Sequence, residues 1–253
     1  MMAEYTNRFW LRAIEVASKA AQRRLLKSFE EYMYAVVEEA SDRNGGHIRG
    51  TKDYLELARL TGAIDATYFL VELGLDIPDE VMSHPDIQSL RALAGDALLL
   101  INVRIYHPSC GWTTLTSQNF NKDLYSYNIE QASGHGGHNL LTVVMNEKGV
   151  DLNGAIDWLA EYHAEVLSKF QAQYQLLPSW GPDLDPIVAN FVERLAYSVR
   201  GIDAWHFESE RYFGTKGLDI QKHRLVTLLP MSKKLDVTPI MALTLPSALI
   251  YLV

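Results

Sequence analysis

The sequence predicts an all-α protein of one domain, on three observations. Apolar residues recur at three- and four-residue spacing through most of the chain, the period of a helix with one buried face. No pair of alternating segments is joined by a hairpin signal. The 253 residues, 48% hydrophobic and 21% charged, are enough for one sizeable core. No internal repeat is present.

The elements follow in order. Ser18 opens a helix over 19–39, with Leu25, Leu26, Phe29, Tyr32, Met33 and Val36 at helical spacing, and Asn44-Gly45-Gly46 ends it. Thr51 is a capping residue for a helix over 52–73, bent at Gly62. Ile77-Pro78 makes a turn, and 86–102 is a buried helix ending in a leucine run. A short helix end at 123–131 leads into the glycine-rich loop 134–137. Helices over 140–147, 152–176 and 186–213 complete the set. The segment 103–122, VRIYHPSCGWTTLTSQNFNK, does not fit. It has no acidic residue and no alanine, has poor helix propensity, and would be an unusually long structureless connection in a compact domain.

Composition excludes several classes. A formal net charge of -8 with no basic run argues against nucleic acid as a partner. The single cysteine, Cys110, allows no disulfide framework and suits a reducing compartment. The start lacks the basic and apolar regions of a secretory signal. The final run 240–253 is apolar but too short to span a bilayer and is interrupted by Pro246. It reads as a buried or disordered end. A cytoplasmic protein with no membrane partner is expected; the sequence leaves the oligomeric state unknown.

Chemistry concentrates at DLYSYNIEQ, from Asp123. On a helix Ser126 and Glu130 share a face, being four residues apart. A third oxygen donor four residues earlier would complete a row suited to Mg²⁺, which takes hard oxygen ligands and keeps waters and substrate phosphates in its shell. That position holds Lys122, a cation. His135 and His138 flank glycines without the further ligands that zinc requires, and read as loop residues.

Several segments together resemble the class I terpene synthases of mushroom-forming fungi, the sesquiterpene cyclases: GHIR from Gly46, LDIPDEV from Leu75, DLYSYNIEQASG from Asp123, His138-Asn139, and RGIDAWHFESERYFGTKG from Arg200. The likeness covers nearly the whole chain except 103–122 and the end beyond about Pro230. It implies the all-α class I terpenoid synthase fold over residues 1–235, interrupted at 103–122, with 236–253 an atypical apolar tail.

The resemblance also implies roles. The family's second metal motif is Asn-Asp-x-x-Ser-x-x-x-Glu, which makes Asn102, Ser126 and Glu130 the metal ligands once 103–122 is removed, because ALLLIN then runs straight into DLYSYNIEQ. A valine codon begins GT, a lysine codon can end AG, and Leu115-Thr116 can encode a branch-point-like sequence. The segment is therefore read as a retained intron, with a genuine family-specific loop as the alternative. Arg211 and Tyr212 match the family's diphosphate-binding Arg-Tyr pair, and Arg59 its diphosphate-sensing arginine. Trp205 is a candidate cavity aromatic, able to face a carbocation; packing in the core is the plainer reading. No general acid, base or nucleophile is assigned.

The family's aspartate-rich first metal motif has no match. Glu38-Glu39 with Asp42 reads as a solvated acidic face, and Asp79-Glu80 as surface. The chain is expected to begin within the family's fold, so that Met1 is not the native start. The implied activity is Mg²⁺-dependent ionisation and cyclisation of farnesyl diphosphate, with this chain inactive as written. The alternative is a non-catalytic helical fragment or a degenerate paralogue. Ser126, Glu130 and Arg211 are expected within about 15 Å of one another, a span that one diphosphate with its metals and waters bridges.

Overall fold

A computed structural model describes residues 2–100, 127, 130 and 139–223. Among them every regular element is helical, as the spacing predicts: α1 (Met2–Val16), α2 (Lys19–Gly45), α3 (Thr51–Thr61), α4 (Ile64–Glu72), α5 (Asp79–Met82), α6 (Pro85–Leu99), α7 (Leu140–Lys148), α8 (Leu152–Gln175), α9 (Asp185–Glu208), a 3₁₀ turn at Gly214–Lys216, and α10 (Gly217–His223). Tyr127 and Glu130 are also helical.

Helix α2 starts where Ser18 accepts from the Ala21 amide and stops at Gly46 in the left-handed region, φ 64. Its buried positions include Ala21 and Ala35, small enough to bring it close to α3 and α4. Helix α1, which the sequence reading did not anticipate, attaches through a small cluster of Ala13, Ala21 and Phe69. Phe9 adds an edge-on contact with Phe69 at 6.2 Å.

The segment expected as one bent helix is two. Gly62 donates to the Ala58 carbonyl at 2.8 Å, and Ala63 then adopts φ 52. An alanine in the left-handed region carries a steric cost. Thr51 is not the cap: Gly50 is, and Thr51 is the first helical residue. Its amide donates instead to Glu147 of α7. This bond holds the Glu147 carboxyl below its ordinary range, as suits an anion at a helix N-terminus. At the far end, Arg194 of α9 donates to the carbonyls of Val71 and Leu73, satisfying groups that the end of α4 leaves open. Arg24 of α2 pairs with buried Glu72 and with Asp79, tying α2 to α4 and α5.

The main core is built from α3 to α9, with Leu90, Leu100, Leu140, Leu141 and Leu195 fully enclosed. Helix α6 packs along α8 and also meets α3 and α9, so it runs through the centre. Helix α6 begins one residue earlier than expected, at Pro85, with His84 as its cap. The last long helix ends sooner than expected. Helix α9 stops at Glu208, and Glu210 at φ 58 turns the chain, so Arg211 to Phe213 follow the helix rather than lie on it. The acidic residues near Gly45 are not simply solvated, since Arg49 bonds both Glu38 and Asp42, and Asp42 is largely covered. Asp79 is on the surface, where it meets Arg23 at 2.6 Å.

Candidate functional site

Of the three expected metal ligands, Glu130 is described. Asn102 and Ser126 lie outside the described residues, as do the segment 103–122, the loop histidines and the final residues from 224. The distance expected between Ser126, Glu130 and Arg211 therefore falls outside them too. Asn139 orients Glu130. Its Nδ2 donates to Glu130 Oε2 at 3.0 Å, while its Oδ1 accepts from the Leu141 amide at 3.0 Å. The amide is fully buried, and capping α7 uses its oxygen, so its NH₂ is aimed at the carboxylate. A carboxylate oriented in this way suits a hard cation. Among the described residues no group of three His, Cys, Asp or Glu comes together to hold a metal.

Arg59 lies in the last turn of α3, just before the break at Gly62–Ala63. Its guanidinium pairs with Asp96 of α6, and its stem passes Gly95, where an added Cβ would stand 3.5 Å from Arg59 Cδ. The Asp96 carboxyl is held above its ordinary range because burial outweighs the arginine's attraction. The Tyr68 hydroxyl of α4 also approaches Gly95 and donates to the Arg91 carbonyl at 3.1 Å. Tyr162 of α8 lies near the pair. Burial first, then the Asp96 charge, raise its hydroxyl, and its ring stacks on Trp158 at 5.0 Å.

Arg211 and Tyr212 sit in the turn after α9. Arg211 is exposed, with its guanidinium carbon 5.5 Å from the Tyr212 ring centre. Tyr212 packs on His206 at 5.2 Å. His206 is buried, and that burial lowers its imidazole to about 4. Trp205 is 45% exposed and contacts His206, while Phe207 beside it is 1% exposed and stacks on Phe213. The sequence reading gave no role to Asp96, Asn139, Tyr162 or His206, although Asn139 and His206 lie in segments that carry the resemblance. Asp96 had a signal, as a lone acid in the apolar run ALAGDALLL. An open groove of about 520 Å³ on α1, bounded by Arg8, Phe9, Arg12, Ala13, Val16 and Leu73, includes none of these residues.

Among the described residues no helix is long and apolar enough to cross a membrane. Residues 1–169 match the family model described as terpene synthase family 2, C-terminal metal binding. Over 227 residues, 90% of its length, the chain is 40% identical to a Delta(6)-protoilludene synthase of Armillaria ostoyae, of which it covers 60%. It is 39% identical over 233 residues to Sesquiterpene synthase 14 of Postia placenta, covering 92% of this chain and 61% of that one. The chain thus spans about three fifths of the length of these curated relatives. Among solved structures, the linalool/nerolidol synthase of Streptomyces clavuligerus superposes with a TM-score of 0.64 at 18% identity, over 78% of this chain and 62% of that one. A cucumene synthase variant gives 0.61 at 24% identity, covering 78% and 61%. At such identities the likeness is one of fold.

Proposed function

This chain belongs to the terpene synthase family, and from that membership we propose that it is a class I sesquiterpene synthase polypeptide whose substrate is farnesyl diphosphate. The observation that carries the proposal is the 40% identity, over nine tenths of the chain, with an enzyme named as a Delta(6)-protoilludene synthase. A solved relative in complex with 2-fluorogeranyl diphosphate supports a prenyl diphosphate as the ligand class.

In this reading Asn102, Ser126 and Glu130 would hold Mg²⁺, and Asn139 fixes the orientation of the Glu130 carboxylate. When bound there, the metal would supply positive charge to offset that of the leaving diphosphate. Arg59, Arg211 and Tyr212 donate hydrogen bonds to diphosphate oxygens, a guanidinium offering a fork of donors and a phenol one more. When the carbon–oxygen bond breaks, the leaving group keeps the electron pair and the hydrocarbon becomes an allylic cation. The surrounding helices exclude water and shape the folding of that cation. Trp205 is a lesser element of this reading, a candidate aromatic whose quadrupole would face the cation.

We also propose that the 253 residues as they stand do not turn over substrate. Two features support this: the share of the relatives' length that the chain covers, and the cation Lys122 in place of the first ligand of the row. The alternative is a non-catalytic fragment or a degenerate paralogue. The test incubates two polypeptides with farnesyl diphosphate and Mg²⁺: the chain as written, and a version extended by the family's aspartate-rich segment and lacking 103–122. Diphosphate release and headspace volatiles are measured. A volatile C15 product is expected from the second alone. Product from the chain as written would overturn the expected inactivity. A soluble extended version without product would favour the degenerate paralogue.

A further inference from the structure

We propose that Asp96 is a positioning residue for Arg59, a counter-ion that holds the guanidinium at the α3–α4 break and gives it up when a diphosphate arrives. The inference rests on the reading of Arg59 as a diphosphate-binding residue. Four elements build the clasp. The last turn of α3 supplies Arg59, whose side chain is 26% exposed, and α6 supplies Asp96, 10% exposed. The arginine stem and the Tyr68 hydroxyl of α4 both reach the α6 backbone at Gly95, where an added Cβ would stand 3.5 and 3.6 Å from them. On α8, Tyr162 lies near enough to the pair for the Asp96 charge to raise its hydroxyl. Arg91 faces the Tyr68 ring, at 5.7 Å, but has its own acid in Asp65 at 2.6 Å, so Asp96 serves Arg59.

The physical case is one of balance. An arginine that is three-quarters covered needs a counter-charge, because an unpaired buried charge is costly. A counter-charge that bound it too well would keep it from substrate. Asp96 meets both demands. It is buried enough that the pair does not fully compensate its own desolvation, and its carboxyl can accept a proton once the arginine has turned away. A diphosphate carries more negative charge than one carboxylate and accepts the guanidinium fork in bidentate fashion. Exchange of Asp96 for diphosphate is therefore downhill for Arg59. Helix α6, released from the pair, is also the helix that leads toward Asn102 in the sequence.

The experiment uses the full chain with inorganic diphosphate, inorganic sulfate and Mg²⁺. Arginine labelling by a dicarbonyl reagent, read at Arg59 by mass spectrometry, reports the clasp directly. Slow labelling is expected in the unaltered chain, with labelling roughly three- to tenfold faster in D96N, the range set by a partly exposed pair. D96S, small enough to admit water, serves if the amide packs badly, and D96E should restore slow labelling. Anion titration then forms a double-mutant cycle. D96N should tighten sulfate binding by a larger factor than diphosphate binding, because sulfate competes less well with the carboxylate, and so narrow the preference for diphosphate. In the R59A background the same change should do nothing. Equal labelling of Arg59 in the unaltered chain, D96N and D96S overturns the inference, as does an effect of D96N that persists without Arg59. Diphosphate binding that is unchanged in R59A, with the labelling difference intact, overturns instead the reading of Arg59 as a diphosphate residue.

Discussion

Replacing His163 with methionine should make the protein more stable and less sensitive to acid. His163 lies on α8, is 1% exposed, and among the described residues neither of its ring nitrogens has a hydrogen-bond partner. A neutral imidazole keeps one donor and one acceptor, and leaving such a group unmade in the core costs about 1–3 kcal/mol. Methionine is of similar bulk and makes no such demand. His163→Met should therefore gain about 1–3 kcal/mol at pH 8. A second contribution depends on pH. Burial lowers the imidazole to about 4. As pH falls through 6.5 the unfolded chain takes up a proton that the folded chain refuses, so folding stability falls until the folded value is reached. Each pH unit in that window costs about 1.4 kcal/mol, so at pH 5 the loss from this one residue is about 2 kcal/mol. The methionine variant escapes it. His206, also lowered to about 4, remains and sets the residual slope. The assay is urea unfolding followed by far-ultraviolet circular dichroism, at pH 8 and pH 5, on both proteins. A variant whose advantage is the same at both pH values would refute the titration argument. A variant less stable at pH 8 would refute the claim that the imidazole is unsatisfied.

Ala63→Gly should raise stability by about 0.5–1 kcal/mol in the same assay, because φ 52 favours glycine. Glu72→Gln should cost about 3 kcal/mol, since Arg24 loses its buried partner but keeps Asp79 and the Ile77 carbonyl, whereas Asp79→Asn at the exposed end should cost less than about 1 kcal/mol. Asn139→Ala should weaken Mg²⁺ binding about 10- to 100-fold in the extended enzyme, the usual effect of losing a group that orients a metal ligand. Unchanged metal titration would remove Asn139 from the site.

What was legible in the sequence was what neighbours in sequence decide. Ser18 and Gly46 bound α2 because capping is local. Gly62 marked the break after α3, though the left-handed residue is Ala63, which no composition rule would choose. What was not legible depends on partners far along the chain. The N-terminus of α3 is satisfied by Glu147, 96 residues away, so Thr51 had no need to cap it. Asp42 looked solvated because the arginine that covers it, and that also reaches the exposed Glu38, lies beyond the end of their helix. The end of α9 was misplaced because Trp205, Phe207 and Phe213 continue an apolar rhythm past the turn at Glu210. Helix α1 was missed although most of its apolar residues share one face, and part of that face, Phe9 and Val16 seven residues apart, stays exposed rather than packed. In the candidate site, Glu130 was legible from its own helix, whereas the amide that aims it belongs to the cap of the next one.

The two candidate diphosphate arginines meet one difficulty in opposite ways. A fold that binds a multiply charged anion must carry cations while the anion is absent, and a cation out of water without a partner is costly. Arg211 avoids the cost by remaining in solvent, its guanidinium close to the Tyr212 ring. Arg59 cannot, because it stands at a helix break between packed elements, and it is paired with Asp96. The exposed arginine can reach an incoming anion first, with an attraction that salt screens. The clasped arginine must trade one partner for another, so its charge becomes available only to a ligand that outbids a carboxylate. Early capture at Arg211 followed by exchange at Arg59 would make the second contact the selective one. Added salt should then weaken the capture of any anion, while the preference for diphosphate over sulfate persists as long as Asp96 is in place.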